Sequence, residues 1–274
     1  MTTANQLDWG SVASNWDAHR GHVEAMKSEL TAALCQGLAL TAGDRVLELG
    51  AGTGALAQRL ALAVHPGGSV LASDVAPGMV ELIRAGAAGH PEIEVAQIDA
   101  NDIPLAGGSF DAIAFRMGLM LLPEPARALA ECRRVLAPGG RIAIAVWAGP
   151  QFNPWLTTLA ISAMMQGLMP AGPPTGPGNP FSLAEPAEFE AVVTAAGFTG
   201  VDVRAIDGVA SFSTADEHFD TVRFLAPPLA AALSNASPEV LAEVRAATAA
   251  MVEKFRAADG LRIPLRALLC TAHS

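Results

Sequence analysis

The chain has 274 residues, room for one large domain or for a domain with an elaboration. Its 17 Lys and Arg against 27 Asp and Glu leave a formal charge of −10, which repels nucleic-acid phosphates and anionic membrane surfaces and so argues against both as partners. The hydrophobic fraction of 51% is inflated by alanine, and tyrosine is absent, which excludes any tyrosyl acid, base or radical.

In chain order, the first segment, 6–40, repeats apolar residues at three- and four-residue steps (Leu7, Val12, Trp16, then Val23, Met26, Leu30, Leu34), which predicts two or three helices. A turn at 41–44 leads to a short strand at 45–49, a glycine-rich turn at 50–54 and a helix at 55–64 stopped by Pro66-Gly67-Gly68. Strands follow at 69–73, 93–98, 110–115 and 141–147, with helices at 77–87 and 126–136 between them. The strands are continuous apolar runs, the signature of a parallel sheet covered on both faces. Beyond Trp147 the rhythm changes: a methionine-rich helix at 155–168, a proline- and glycine-rich connection or lid at 170–180, a helix at 184–196, a strand at 201–206, helices across 215–257 and a last strand at 264–272. The expected fold is α/β: a doubly wound, mostly parallel, seven-stranded Rossmann-like sheet, with N-terminal helices and helical insertions forming a cap.

No apolar run approaches the roughly 20 residues that a bilayer crossing needs, and the opening residues lack a signal-peptide pattern. The cysteines at 35, 132 and 270 are isolated, which excludes a disulfide framework and a cysteine-based metal site and fits a reducing, cytoplasmic setting.

Glycines placed between a strand and a helix let backbone come close to a ligand. Here the run is Glu48-Leu49-Gly50-Ala51-Gly52-Thr53-Gly54-Ala55, which also satisfies the GxGxxA form of the dinucleotide fingerprint. Asp74, ending the next strand, suits a ribose diol, or else caps the helix that begins near Pro77. Asp99 ends the third strand and is either a ligand acceptor or a loop cap. Glu48, two residues before the first glycine, would be unfavourable beside a pyrophosphate but not beside a cationic ligand.

VLELGAGTG at 46–54, SDVAPGMVE at 73–81, QIDANDIPLAGGSFDAI at 97–113 and RRVLAPGGRIAIAVW at 133–147 resemble, in order, the consecutive motifs of class I S-adenosylmethionine-dependent methyltransferases. The likeness is strongest to the small-molecule branch of ubiquinone and menaquinone biosynthesis, and it covers about 40–200 well. The resemblance implies that Gly50, Ala51, Gly52 and Gly54 line the methionine part of S-adenosyl-L-methionine and that Glu48 sits near its amino group. It implies Asp74 at the ribose, Val75 and Met79 near the adenine, Asp99 accepting from the adenine amino group with Ala100 beside it, and Arg116 near the methionine end. It divides the chain into an N-terminal helical cap at 1–40, a cofactor-binding core at 41–150, and variable helical insertions at 151–274 whose last two strands complete the same sheet.

The implied reaction is methyl transfer to a small, apolar or aromatic molecule on oxygen, carbon or nitrogen, by in-line displacement. A nicotinamide-dependent oxidoreductase is the second reading. It gains from Ala55 and Asp74, and loses from Glu48, Asp99 and the lack of a Tyr-Lys pair, lysine occurring only at Lys27 and Lys254. A non-methylating cofactor-binding member of the fold is the third. Methyl transfer needs a general base only if the acceptor must lose a proton. His19 and His22 are the candidate bases, and a solvated helix face is their competing explanation. No metal site is expected. Met117, Met120, Met164, Met165 and Met169 either shape an apolar acceptor site or pack the core, and Trp16, Trp147 and Trp155 carry the same ambiguity. The acceptor and the oligomeric state, a homodimer among the options, stay open.

Overall fold

A computed structural model describes residues 8–172 and 175–274. Leu7, the first residue of the N-terminal apolar stripe, lies outside the described residues. Three short helices come first: α1 (Ala13–Ala18), α2 (Arg20–Met26) and α3 (Ser28–Leu38). The alternating core follows as β1 (Arg45–Leu49), α4 (Ala55–Val64), β2 (Ser69–Asp74), α5 (Pro77–Ala87), β3 (Ile93–Gln97), β4 (Phe110–Arg116), α6 (Pro125–Val135) and β5 (Leu136–Trp147). The remainder is α7 (Pro154–Met165), α8 (Pro186–Ala195), β6 (Thr199–Phe212), α9 (Ala215–Val222), α10 (Pro227–Ser234), α11 (Pro238–Val252), β7 (Arg256–Ala257) and β8 (Gly260–His273).

The strands form one sheet in the order β3-β2-β1-β4-β5-β8-β6, with β7 pairing on β8. Pairing from β3 through β5 is parallel, and β8 runs antiparallel between β5 and β6. The chain builds outward from β1 through β2 to β3, then crosses back to lay β4 on the other side of β1. That reversal leaves a crevice at the carboxyl ends of β1 and β4, where open α/β sheets bind ligands.

The expected seven strands become eight, because a two-residue β7 joins β8. The last two long strands also exceed their expected bounds. β6 runs past its expected end at Ile206 through Asp207-Gly208, because each residue from Asp202 to Phe212 has a partner on β8. Glycine at 208 has a packing reason: a Cβ there would stand 2.8 Å from Leu265 and 3.4 Å from the Met26 carbonyl, so α2 could not lie as close. β5 begins at Leu136, ahead of the Pro138-Gly139-Gly140 turn expected to precede it, and the register with β4 shifts between Phe110 and Ala112.

One hydrophobic cluster joins the N-terminal helices, the sheet and the C-terminal helices. In α3, Leu30, Leu34 and Leu38 are fully buried, each worth about 1.5–3 kcal/mol. A second, smaller cluster of Ala13, Ala76 and Met79, with Trp9 and Trp16 against it, seats α1 on the start of α5. Gly78 permits this approach, since a Cβ on it would come within 3.3 Å of the Ala13 methyl group. The N-terminal helices are thereby held over the carboxyl end of the sheet.

Candidate functional site

A cavity of about 520 Å³ opens at that crevice. Its floor comes from the ends of β1, β2 and β4 and the loops that leave them; Trp9, Trp16, Glu24 and Lys27 cover it from the N-terminal segment.

The glycine turn takes a backbone path open to glycine. Gly50, Gly52 and Gly54 have φ of 62°, 59° and 79°, a region side chains disfavour. Gly50, Ala51 and Gly52 line the cavity. Gly54 does not: it packs α4 onto α5, where a Cβ would stand 3.2 Å from the Ile83 Cα. Its expected place on the ligand wall is therefore corrected to a packing role.

The exits of β1 and β2 are tied together. Ala51 donates its N–H to the Ser73 carbonyl (2.9 Å), and the Ser73 hydroxyl donates to the Glu48 carbonyl (2.8 Å). Asp74 accepts the Gly52 N–H on one carboxyl oxygen and the Ala76 N–H on the other, both at 3.0 Å. Burial raises the Asp74 carboxyl above its usual range, with those N–H groups pulling the other way. The capping alternative is met in part, because Asp74 holds the Ala76 N–H just ahead of α5 while Ala76 occupies the cap position. Val75 and Met79 line the cavity, as do Asp99, Ala100 and Asn101. Asp99 accepts from the Asn101 N–H (2.9 Å) and side-chain amide (3.3 Å), so it closes its own loop while facing the cavity wall. The amide oxygen of Asn101 is buried with no partner.

At the opposite end four ionisable groups meet. Arg116 donates to both Glu24 oxygens (2.7 and 2.9 Å) and to the Thr31 hydroxyl (2.7 Å). Lys27 pairs with Glu24 at 3.0 Å, with its Nζ 5.6 Å from the centre of the Trp16 ring. Burial alone would raise the Glu24 carboxyl, but Lys27 and Arg116 outweigh it and hold it down to about 2. Burial, with help from Arg116, lowers Lys27 to about 8. Glu48 is 1% exposed, flanked in the sheet by Ala72 and Ala114, and its Oε2 has no partner. Burial pushes it up to about 8 against the pull of Arg116 and Lys27. Glu48 thus lies behind the cavity wall, whereas Arg116 is on it.

The sequence reading missed Glu24 and Lys27. Their signal was present: Lys27 interrupts the apolar stripe of Val23, Met26, Leu30 and Leu34, and Glu24 precedes it by one helical step. Met117, named among the methionines of the sequence reading, has a φ of 65°, which puts it in the left-handed region beside Arg116, a strain that the sequence did not signal.

His19 and His22 are corrected. Neither lines the cavity. His19 sits at the junction of α1 and α2. His22 stacks on Phe212 at 4.6 Å and lies 4.0 Å from Glu217. Beyond Phe212, His218 donates its Nε2–H to the Trp155 carbonyl at 2.7 Å, a carbonyl being able only to accept. Burial lowers both imidazoles, so neither is built to carry charge. Of the methionines, Met117 is on the cavity wall, Met120 is core and Met165 is exposed. Trp16 is on the wall, while Trp147 and Trp155 pack edge-to-face in the core.

A family model described as a methyltransferase domain matches residues 47–144. A demethylmenaquinone methyltransferase from Clavibacter sepedonicus is 41% identical over 118 residues, 43% of this chain and 47% of the relative. A malonyl-[acyl-carrier protein] O-methyltransferase from Geobacter sulfurreducens is 32% identical over 223 residues, 79% of each. The chain thus spans about half the length of the first relative and most of the second. Among solved structures, the YcgJ protein of Bacillus subtilis superposes with a TM-score of 0.59 at 19% identity, covering 89% of this chain and 97% of that one, a likeness of fold.

Proposed function

The chain belongs to the S-adenosylmethionine-dependent methyltransferases, and on that premise we propose that it transfers a methyl group to a small, apolar or aromatic acceptor. The observation that carries the reading is a cavity with two chemically different ends. One end offers carboxylates, Asp74 and Asp99, that accept hydrogen bonds from hydroxyl and amino groups; the other holds Lys27 and Arg116 sharing a single carboxylate. These residues fit S-adenosylmethionine, which carries a diol and an amino-purine at one end and an amino acid at the other.

In this reading Asp74 holds the ribose hydroxyls, Val75 and Met79 pack on the adenine, and Asp99 with Ala100 meets its edge. Gly50, Ala51 and Gly52 let backbone approach the methionine part. Lys27 and Arg116 are two cations with Glu24 as their one close anion, which leaves a positive charge for a ligand carboxylate. Glu48, with its carboxyl raised to about 8, holds its proton at neutral pH. A neighbouring ammonium group would favour its anion, and from behind the wall Glu48 would supply that negative charge toward the amino group of a bound cofactor.

When bound, S-adenosylmethionine supplies a methyl group on a sulfonium, whose carbon–sulfur electron pair stays on sulfur as the acceptor atom takes the methyl. The chain's own contribution is alignment and exclusion of water, by Trp9 and Trp16 over the site. No histidine lines the cavity among the described residues, so a proton lost by the acceptor passes to the acceptor's own surroundings rather than to an imidazole. The three-part division into an N-terminal helical cap at 1–40, a cofactor-binding core at 41–150 and variable insertions at 151–274, with the last two strands completing the same sheet, suits this scheme. The three free cysteines support a reducing, cytoplasmic setting.

Calorimetric titration with S-adenosylmethionine, S-adenosylhomocysteine and NAD tests it. Binding of the first two and not the third is expected. Asp74→Ala should weaken that binding by about 10- to 100-fold, the worth of a charge-assisted hydrogen bond. Binding of NAD alone would overturn the proposal. An acceptor screen then looks for a mass gain of one methylene unit.

A further inference from the structure

A second cavity, of about 400 Å³, adjoins the first, and Trp9 and Leu121 belong to the walls of both. Its chemistry is the opposite of its neighbour's. From α7 it takes Leu156, Ala160 and Met164, residues four apart that form one stripe of the helix. Pro180 closes it from the end of the proline-rich connection, Phe181 from just beyond it, and Leu229 from α10. No charged side chain lines it among the described residues. Beside the Trp9 indole, its polar side chains are Thr157 and Asn179, and both donate to nearby carbonyls. The Thr157 hydroxyl donates to the Asn153 carbonyl at 3.2 Å, and the Asn179 amide to the Gly176 carbonyl at 3.0 Å.

The wall between the two cavities is anchored from both sides. Trp9 packs edge-to-face on Trp16 at 6.3 Å, and the Trp16 indole N–H donates to the Leu225 carbonyl, just ahead of α10, at 3.1 Å. At the far side α7 reaches the surface: Ile161, which lines the cavity, is 44% exposed, and Met165 one turn on is 66% exposed. None of the twelve residues of α7 is charged.

We infer that this second cavity is the acceptor site and that it selects a neutral, apolar body, presenting the nucleophilic atom at the Trp9–Leu121 neck and excluding acceptors that carry a carboxylate or phosphate into it. The inference rests on the methyltransferase reading and narrows its substrate class. A carboxylate moved into this cavity would lose its water and find no cation among the described residues, and an unpaired buried anion is strongly disfavoured. Met164 and Met169 give the wall a compliance that suits apolar bodies of varied outline. The exposed Ile161 edge lets an apolar portion longer than the cavity run out along α7.

The test uses two probes of similar shape and different charge, 1-naphthol and 1-naphthoate, titrated into the full-length protein saturated with S-adenosylhomocysteine. The neutral probe should bind at least about tenfold more tightly, because the anion goes unpaired. Ala160→Glu should weaken 1-naphthol by about tenfold through the same burial cost. Ala160→Arg should reverse the preference in favour of 1-naphthoate, a gain that damaged packing cannot produce. In both variants S-adenosylhomocysteine affinity should be unchanged. Equal binding of the two probes to the wild-type protein, or naphthol binding indifferent to both variants, would overturn the inference, and the wild-type comparison decides even if a variant does not fold. Failure of S-adenosylhomocysteine itself to bind would instead remove the cofactor reading.

Discussion

The two adjoining cavities are built on opposite electrostatic plans. The one at the ends of β1, β2 and β4 is walled by Glu24, Lys27, Asp74, Asp99 and Arg116; the one under α7 has no charged side chain among its described residues. They differ in origin as well. Asp74, Asp99 and Arg116 of the charged wall stand at or just beyond the end of a strand, where the sheet fixes the backbone and a short loop can hold a carboxylate to within a hydrogen bond. The apolar wall is assembled from helix stripes and a proline-rich connection, with α7 tied to the sheet at its start, where Asn153 exchanges hydrogen bonds with the Arg266 backbone of β8. A rigid parallel sheet suits a ligand of constant structure, and a helical cap suits one that varies between proteins.

The contrast is most severely tested at the ion cluster. Glu24→Gln leaves Lys27 and Arg116 facing one another with no carboxylate between them. Breaking a buried pair in this way costs about 3–5 kcal/mol, which a denaturant melt would read as an early midpoint. A melt unchanged by the substitution would mean that the charged wall carries no structural weight. Next comes the pair Asp74→Ala and Ala160→Glu. The first should cost S-adenosylhomocysteine binding and spare 1-naphthol, the second the reverse; any crossing of these effects would mean that the two cavities act as one.

A pH series sharpens the comparison further. The Glu48 carboxyl is raised in the folded protein from 4.5 to about 8 by burial, so the folded state holds a proton that the unfolded chain releases. Its contribution is complete below pH 4.5 and is lost as pH rises toward 8. Glu24 works in the other direction. Held down to about 2, it contributes fully above pH 4.5 and loses that contribution as pH falls toward 2. The stability of the wild-type protein relative to Glu48→Gln should therefore decline between pH 5 and 8, followed by the shift in thermal midpoint. A flat difference would mean that Glu48 is not buried as described. The smallest effect is expected on the apolar side. Met165→Ser, at a position 66% exposed, should move stability by no more than about 0.5 kcal/mol. A larger loss would mean that the α7 surface is covered by something in solution.

Much of the charged site could be read from the chain because its signals are local. Gly50 and Gly52 follow β1 at once, Asp74 ends β2, and Asp99 comes two residues after β3. The same local rule misled at Gly54, where a glycine of the same run serves the packing of α4 on Ile83. It misled again on the N-terminal polar face, where His19 sits at the junction of α1 and α2 and His22 turns toward Phe212 and Glu217 rather than the cavity.

What the sequence by itself determined is the alternation of strand and helix, the doubly wound sheet and the turn-borne half of the site. These depend on hydrophobic period and on backbone conformations that only particular residues tolerate. The tertiary structure decided the rest. It joined Glu24 to Arg116 across 92 positions, drew β6 past its expected end by pairing it along β8, and brought α7, the connection after it and α10 around one apolar cavity. Such contacts come from packing between distant elements, and packing depends on which faces meet, a property no single stretch of sequence carries.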